Sequence, residues 1–458
     1  MHRGIDSPMW LPPISLPNLY MSELAALWPA ELPLVCLWRG ERYLTVATHF
    51  REISWEEFSE KEISAPPQAS GPMRSGYFGV VSYDQFAADP IDFAGSPPRI
   101  IRVESALVYD RREAKLYVPR QSDEWQPGQP VQPGDIWVDA AALSEQLLEE
   151  RHVPDLICRD LQLSPTISDD AYEALVDRVI EDIRAGRYYQ LNLLRYFTLR
   201  DRLTRQDLLL RMDLCGGAMS CYIDLPNLTL MSLSPERFIS VRCGDVGPQL
   251  ATYPIKGTAP RHDDDPVADQ SAALNLRASI KDRAELAMIV DLMRNDLHHV
   301  CRSGSVRVSE HAALLSARGV HHLQSEIVGD LAVPLTWGLL LRNICPAGSI
   351  TGAPKREVVA AIKQYEQRSR GYFMGHVFSL DEHGGFDSSV LIRTYVGQGD
   401  ERFEYAAGSG LVIGSDAQSE RLEIAAKCRA ATQSASVTTN INNRQEWRGF
   451  VHGFQENL

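Results

Sequence analysis

The eight cysteines of this sequence form no pattern. Cys36, Cys158, Cys215, Cys221, Cys243, Cys301, Cys345 and Cys428 are scattered without a C-x-x-C pair, which excludes a zinc ribbon and offers no disulfide framework. A reduced, cytoplasmic setting is the expectation. Long apolar runs are also missing, since no segment approaches the roughly 20 residues that span a bilayer. Pro8, Pro12, Pro13 and Pro17 interrupt the stretch where a signal peptide would place its apolar core, so a membrane is not an expected partner. Positive charge is in deficit, with 46 Lys and Arg against 60 Asp and Glu and a net charge of -14. Phosphate neutralisation requires a dense basic surface, so nucleic acid is not an expected partner either. An anionic small molecule would need a local basic pocket. The G-x-x-x-x-G-K-[ST] spacing of a phosphate-cradling loop is absent, and no internal repeat is evident.

What is present supports a large globular core: 458 residues, 44% of them hydrophobic. Residues 1–160 carry short strand signals at Tyr43–Thr48, Gly76–Tyr83, Leu107–Tyr109 and Lys115–Val118. Pro119 to Gly134 is rich in Pro, Gly, Gln and Asp and reads as a surface loop. From 161 to 433 the patterns sharpen. Ser168 is placed to cap a helix whose Tyr172, Leu175, Val176, Val179 and Ile183 share a face, with Gly186 ending it. A strand over Tyr188–Leu199 follows, then strands at Leu228–Ser232 and Phe238–Val241 and a long helix from about Ser279 to Val300. Residues 434–458 are a polar tail. Helix and strand alternate irregularly, which predicts an α+β protein rather than a regular βαβ winding.

Several side chains stand out chemically. Glu285 lies within an otherwise apolar helical face, and Glu420 and Glu423, three apart, share a face of another helix. Carboxylates from two helices suit a hard cation such as Mg²⁺, although a helical glutamate pair is ordinarily a solvated face. CPAGSITGAPK, from Cys345 to Lys355, brings small residues and a Pro to a helix start, where free backbone N–H groups can receive an anion. AAGSGLVIGSD lets backbone amides approach a ligand closely, or else forms a tight hairpin. Lys256, in TYPIKGTAPR, reads as the end of a strand. It is ordinarily an exposed structural lysine, and it becomes a nucleophile only as the neutral amine. Glu236, in SLSPERF, is a candidate general acid if its surroundings keep it protonated, and otherwise half of an ion pair.

Read together, YYQLNLLRYF, SLSPERF, PIKGT, KDRAELAMIVDLMRND, VHHLQSEI, GSITGAPK, SSVLIRT and the late E-x-x-E-x-x-x-K stand in the order found in chorismate-utilising enzymes. The chain is similar to that family over Ser164 to Ala431, and more loosely through SGYFGVVSYD. The resemblance implies an α+β sandwich of two packed antiparallel β-sheets with helices outside and the site in a cleft between them. It implies Mg²⁺ on Glu285 and Glu423, with Glu420 close by, holding the ring carboxylate of chorismate. Arg393, Lys427 and the amides around Gly408 and Gly410 would orient the carboxylates; Gly257, Thr258 and Thr351 would line the ring, and His322 matches the family's H-L-x-S histidine. His321 is expected to be structural.

Water-adding members carry a lysine base where this chain has Gln190. Lysine in the P-I-x-G-T motif, here Lys256, accompanies amination at C4, which implies 4-amino-4-deoxychorismate, the precursor of 4-aminobenzoate and folate, as product. No Cys-His-Glu glutaminase triad is apparent, and no pyruvate-eliminating domain follows Ala431, which implies a separate glutaminase subunit delivering ammonia and a separate lyase. Two alternatives stay open: C2 amination to anthranilate, and a catalytically silent chorismate-binding regulatory subunit. Gly375-His-Val-Phe-Ser379, Phe373 and AGSGLVIGSD depart from the family pattern, and LPLVCLWRGERY predicts no tryptophan-binding regulatory motif.

Overall fold

The computed structural model describes residues 10–437 except 12, 17–18, 40–41, 65–72, 74, 88–95, 120–135, 150–155, 263–264, 318–319, 399–401 and 434. The loop expected from Pro119 to Gly134 therefore lies almost wholly outside the described residues, as does most of the polar tail; within it, Ala435–Val437 pairs with Leu156–Cys158.

The strands that carry the architecture are, in chain order, β1 (Leu34–Arg39), β2 (Tyr43–Ile53), β3 (Gly76–Val81), β4 (Arg99–Asp110), β5 (Gln190–Leu199), β6 (Cys221–Leu225), β7 (Leu228–Ser232), β8 (Arg237–Gly244) and β9 (Gly247–Thr252). They continue with β10 (Ile255–Pro260), β11 (Arg307–Ala317), β12 (Val320–Asp330), β13 (His376–Asp381), β14 (Phe386–Val390), β15 (Thr394–Gly397) and β16 (Phe403–Leu411). Antiparallel ladders join them in one ribbon. Its first half runs β5-β16-β15-β7-β6-β1-β2. The β2–β4 ladder, with register shifts around His49, leads into the second half, β4-β3-β13-β14-β8-β9-β12, and β10 and β11 both pair with β12.

The halves face each other across one core. A single hydrophobic cluster draws on both, with Leu37, Leu193 and Leu230 from the first and Phe78, Phe378 and Leu323 from the second. Leu37 lines a small cavity together with Val377, Phe378 and Ser388. This is the α+β sandwich expected, with its two halves connected through a continuous ladder.

Local chemistry accounts for the main helices. Helix α1 (Asp169–Arg184) starts where the Ser168 hydroxyl accepts the Ala171 N–H, and Gly186, at φ +77, turns the chain out of it. It buries Tyr172, Val176, Val179, Ile180 and Ile183. Helix α2 (Pro266–Ala278) is followed at once by α3 (Ile280–His298), capped by Ser279 and buried through Leu286, Ile289, Val290, Met293 and Leu297. Helices α4 (Lys355–Glu366) and α5 (Ala417–Thr432) complete the set used below. No helix among the described residues is long and apolar enough to cross a membrane.

Strand β5 is buried on both faces along nearly its whole length. A strand so placed normally reads as continuous apolar sequence. Its buried polar residues, Gln190, Asn192 and Arg195, are therefore exceptions that need a partner or a task.

Candidate active site

Two adjacent crossings between the halves are residues 233–236, between β7 and β8, and residues 391–393, between β14 and β15. They are stitched together by the Leu233 N–H donating to the Arg393 carbonyl at 3.0 Å and the Val390 N–H donating to the Glu236 carbonyl at 3.4 Å. Glu236 and Arg393 thus sit on irregular backbone between the halves. Arg393 is exposed and holds a left-handed φ of 50, a conformation that costs a non-glycine residue roughly 1 kcal/mol or more and collects at functional sites.

Glu236 Oε1 accepts a hydrogen bond from the Ser349 hydroxyl at 3.2 Å. Desolvation of the carboxyl raises its pKa to about 7, and the charge of Lys256, the Ser349 hydrogen bond and the charge of Arg393 hold it from rising further. Near neutral pH this group retains a proton to give, as a general acid requires.

Lys256 is the second residue of β10, so it opens a strand rather than closing one, and a register shift follows between Lys256 and Thr258. Gly257 absorbs the shift at φ +71, with Asp282 and Leu276 packed so closely that a Cβ there would lie 3.0 Å from each. Across the cleft, a Cβ on Gly410 would stand 2.9 Å from Gln190 Nε2 and 3.7 Å from Lys256 Nζ. The start of β5, the end of β16 and the start of β10 therefore converge on the space beside Gly410, which glycine alone leaves open.

His322 Nδ1 lies 3.1 Å from the Gly257 carbonyl and 3.1 Å from Thr258 Oγ1. Because a carbonyl only accepts, Nδ1 carries the hydrogen and Nε2 presents a lone pair, buried and without a partner among the described residues. Burial holds this imidazole below its usual pKa, so it acts as a neutral acceptor. His321 is engaged otherwise, with Nε2 3.0 Å from Asp269 Oδ1 and Nδ1 2.8 Å from Ser316 Oγ; its role is structural.

The Cys345–Lys355 segment forms a short 3-10 turn (Gly348–Ile350), a two-residue strand and the start of α4. It is laced to β5, with the Asn192 N–H donating to the Thr351 carbonyl at 2.7 Å and the Tyr189 N–H to the Ala353 carbonyl at 2.8 Å. The Thr351 hydroxyl is buried and donates to the Ala347 carbonyl at 2.9 Å, so its side chain shapes the loop. Lys355 turns away to Asp296 on α3 at 2.6 Å, and no side chain caps the first turn of α4. AAGSGLVIGSD is no hairpin: it is the end of β16 and the turn into α5.

The carboxylates lie on two helices. Glu285, on α3, is 3.9 Å from Lys281. On α5, Glu423 pairs with Lys427 at 2.7 Å, and Lys427 also donates to the Gly408 carbonyl at 2.7 Å. Glu420 Oε1 accepts from the Ser415 hydroxyl at 2.6 Å, while Oε2 is buried with no partner among the described residues. No group of three or more His, Cys, Asp or Glu is gathered closely enough to hold a metal ion among the described residues. The donor chemistry nonetheless fits a hard cation, because Glu420 keeps a buried oxygen without a partner among the described residues and the other two glutamates pair with lysine ammoniums.

Four contributing residues escape sequence reasoning. Ser349 was hidden within a loop read only for its backbone. Asn192 looked like one residue of a strand. Glu366 and Arg370 have the i, i+4 spacing of an ordinary surface pair, yet their side chains are 0% and 1% exposed.

The profile of the chorismate binding enzyme family matches residues 35–433. The chain is 39% identical to aminodeoxychorismate synthase component 1 of Klebsiella aerogenes over 242 residues, 53% of this chain and 52% of that protein, so it spans about half the length of that relative. It is 28% identical to anthranilate synthase component 1 of Lactococcus lactis subsp. lactis over 380 residues, 80% of this chain and 81% of that one. The crystal structure of anthranilate synthase component I from Streptococcus pneumoniae TIGR4 superimposes with a TM-score of 0.68 at 25% identity, covering 86% of this chain and 92% of that one. With the family profile extending across both halves of the sandwich and the cleft between them, this chain belongs to the chorismate binding enzyme family.

Proposed function

We propose that this chain aminates chorismate at C4, yielding 4-amino-4-deoxychorismate, with ammonia supplied by a separate glutaminase subunit. The observation that carries the reading is the meeting of Lys256 with the neutral carboxamide of Gln190 beside Gly410, close to a protonatable Glu236. The site thus offers a nucleophile and an acid, and no base at position 190 to activate water.

In this reading the Lys256 amine attacks C2, the two ring double bonds shift, and the C4 hydroxyl takes the Glu236 proton and leaves as water. Ammonia then bonds to C4 as the electron pairs return and the bond from C2 to Lys256 breaks, and the extra proton on the new C4 ammonium goes back to Glu236, so the sum is chorismate plus ammonia giving aminodeoxychorismate plus water. Arg393 and Lys427 neutralise the substrate carboxylates, and the glycines at 408 and 410 allow close approach of the ring. Thr258 and His322 bound its other side. Glu285, Glu420 and Glu423 are the residues assigned to Mg²⁺, which when bound neutralises the ring carboxylate; the unpartnered Glu420 Oε2 supports that assignment.

The test is product identification. Incubated with chorismate, ammonium and Mg²⁺ and then a lyase, the chain should yield 4-aminobenzoate. Anthranilate would establish C2 amination instead, a reading favoured by the longer match to the anthranilate synthase relative, and binding without turnover would mark a regulatory subunit.

A pH profile checks Glu236. With its pKa raised from the usual carboxyl range to about 7, the proton-donating form predominates below about pH 7 and falls tenfold per pH unit above it. At constant free ammonia, kcat should decline through that region. Glu236→Gln should lose the declining limb along with about 10²- to 10⁴-fold of the rate; a wild-type rate in Glu236→Gln would remove it from the chemistry.

A further inference from the structure

The geometry points to Asn192 as a specificity-determining residue that, beside Gln190, holds the incoming ammonia. The proposal rests on the amination reading above. Gln190, Asn192 and Leu194 alternate with Leu191 and Leu193 along β5 and project to one face. The contacts of the glycines opposite place that face on the cleft. A Cβ on Gly410 would stand 2.9 Å from Gln190 Nε2, and one on Gly408 would stand 2.5 Å from Leu194 Cδ2 and 2.9 Å from Asn192 Oδ1.

Asn192 is 7% exposed, and its Oδ1 is buried with no hydrogen-bond partner among the described residues. Leaving a buried carbonyl oxygen unsatisfied is unfavourable, so an arrangement that keeps one in a ligand cleft invites a donor from the ligand. The backbone leaves the residue little freedom. Its N–H is bonded to the Thr351 carbonyl at 2.7 Å, and its carbonyl accepts from Arg370 Nη2 at 2.7 Å. The side chain of Leu194, the next residue on that face, cannot hydrogen-bond, which places the polar end of the slot at Gln190 and Asn192.

The chemistry of a carboxamide matches one nucleophile. Its carbonyl oxygen accepts an N–H without taking the proton, so it can orient ammonia, which is nucleophilic as the free base. It cannot activate water, which needs a base to become an effective nucleophile. Asn192 Oδ1 on this rigid strand, opposite two residues without side chains and beside the uncharged carboxamide of Gln190, therefore forms a small neutral slot that selects an N–H donor and leaves its lone pair free for the ring.

Steady-state kinetics with ammonium on the full chain test this. Asn192→Ala should raise KM for ammonium about tenfold, the equivalent of one buried neutral hydrogen bond of about 1.4 kcal/mol, while KM for chorismate changes less than twofold. Asn192→Ser, which keeps a short acceptor, should recover part of the loss, and both variants should melt close to the wild type. An unchanged KM for ammonium in Asn192→Ala, or an equal rise in KM for chorismate, overturns the assignment while leaving the amination reading intact. Failure of the wild type to use ammonium at all overturns both. Because KM for ammonium is read whichever ring carbon is aminated, formation of anthranilate would correct the regiochemistry and leave the Asn192 test decisive.

Discussion

Lys256→Ala is expected to lose C4-aminated product by on the order of 10³-fold with little change in thermal stability. Lys256 is only partly buried, and no side-chain ion pair or hydrogen bond ties it down among the described residues, so truncation should leave the fold intact. The rate depends on it because, in the proposed mechanism, its bond to C2 both expels the C4 hydroxyl and blocks C2 against ammonia. Residual turnover in Lys256→Ala should therefore shift toward the C2-aminated product, since the slot at Gln190 and the acid at Glu236 are still in place. Mass spectrometry of wild-type enzyme quenched with chorismate should find the adduct on the peptide that contains Lys256. Wild-type rates of aminodeoxychorismate formation in Lys256→Ala would reduce the lysine to an electrostatic role and end the covalent mechanism.

Arg370→Met should give the largest loss of stability, about 3–5 kcal/mol, measured by denaturant titration. Its guanidinium meets Glu366 at 2.6 Å, donates to the Ile350 carbonyl at 2.9 Å and the Asn192 carbonyl at 2.7 Å, and lies 4.5 Å over the Tyr83 ring. Glu366 in turn accepts the Leu194 N–H at 3.0 Å and the Tyr196 hydroxyl at 2.7 Å. The pair thus binds α4, the loop before it and β5 into one unit. Removing the cation leaves the carboxylate in the core with two neutral donors, short of the compensation a buried charge requires. Replacing both partners with apolar residues should cost less than the single change. Because Asn192 and the Thr351 loop are held by this network, activity should fall in Arg370→Met at temperatures well below unfolding. A loss under 1 kcal/mol would show that the core accommodates the lone glutamate by protonating it or by admitting water.

Some of this protein was written locally. The Ser168 cap, the buried stripe of α1 and Gly186 at its end depend on neighbours within a few residues, and the Leu228–Ser232 strand falls where its pattern places it. The order of motifs carried the family and the α+β sandwich. Local pattern misplaced what depends on partners. Lys256 opens its strand because β12 pairs with it through the shift at Gly257, and AAGSGLVIGSD enters a strand because β5 lies alongside it. Neither ladder can be seen in a window of ten residues.

The sequence by itself determined the residue types that do chemistry, the family, and the helices whose caps and faces are local. Only the tertiary structure decided which of those residues meet and in what state. Position 236 is a glutamate in either case, but its proton near neutral pH follows from desolvation at the crossing between the halves. Glu366, the last residue of α4, and Arg370, in the chain just beyond it, would be a weak pair if exposed; burial against β5 makes them a structural centre. Asn192 is polar in any setting, and the role proposed for it arises from the absence of side chains at Gly408 and Gly410 on a strand more than two hundred residues away. Burial, pairing and empty space are properties of contacts between distant segments, and those are fixed only when the ribbon closes on itself.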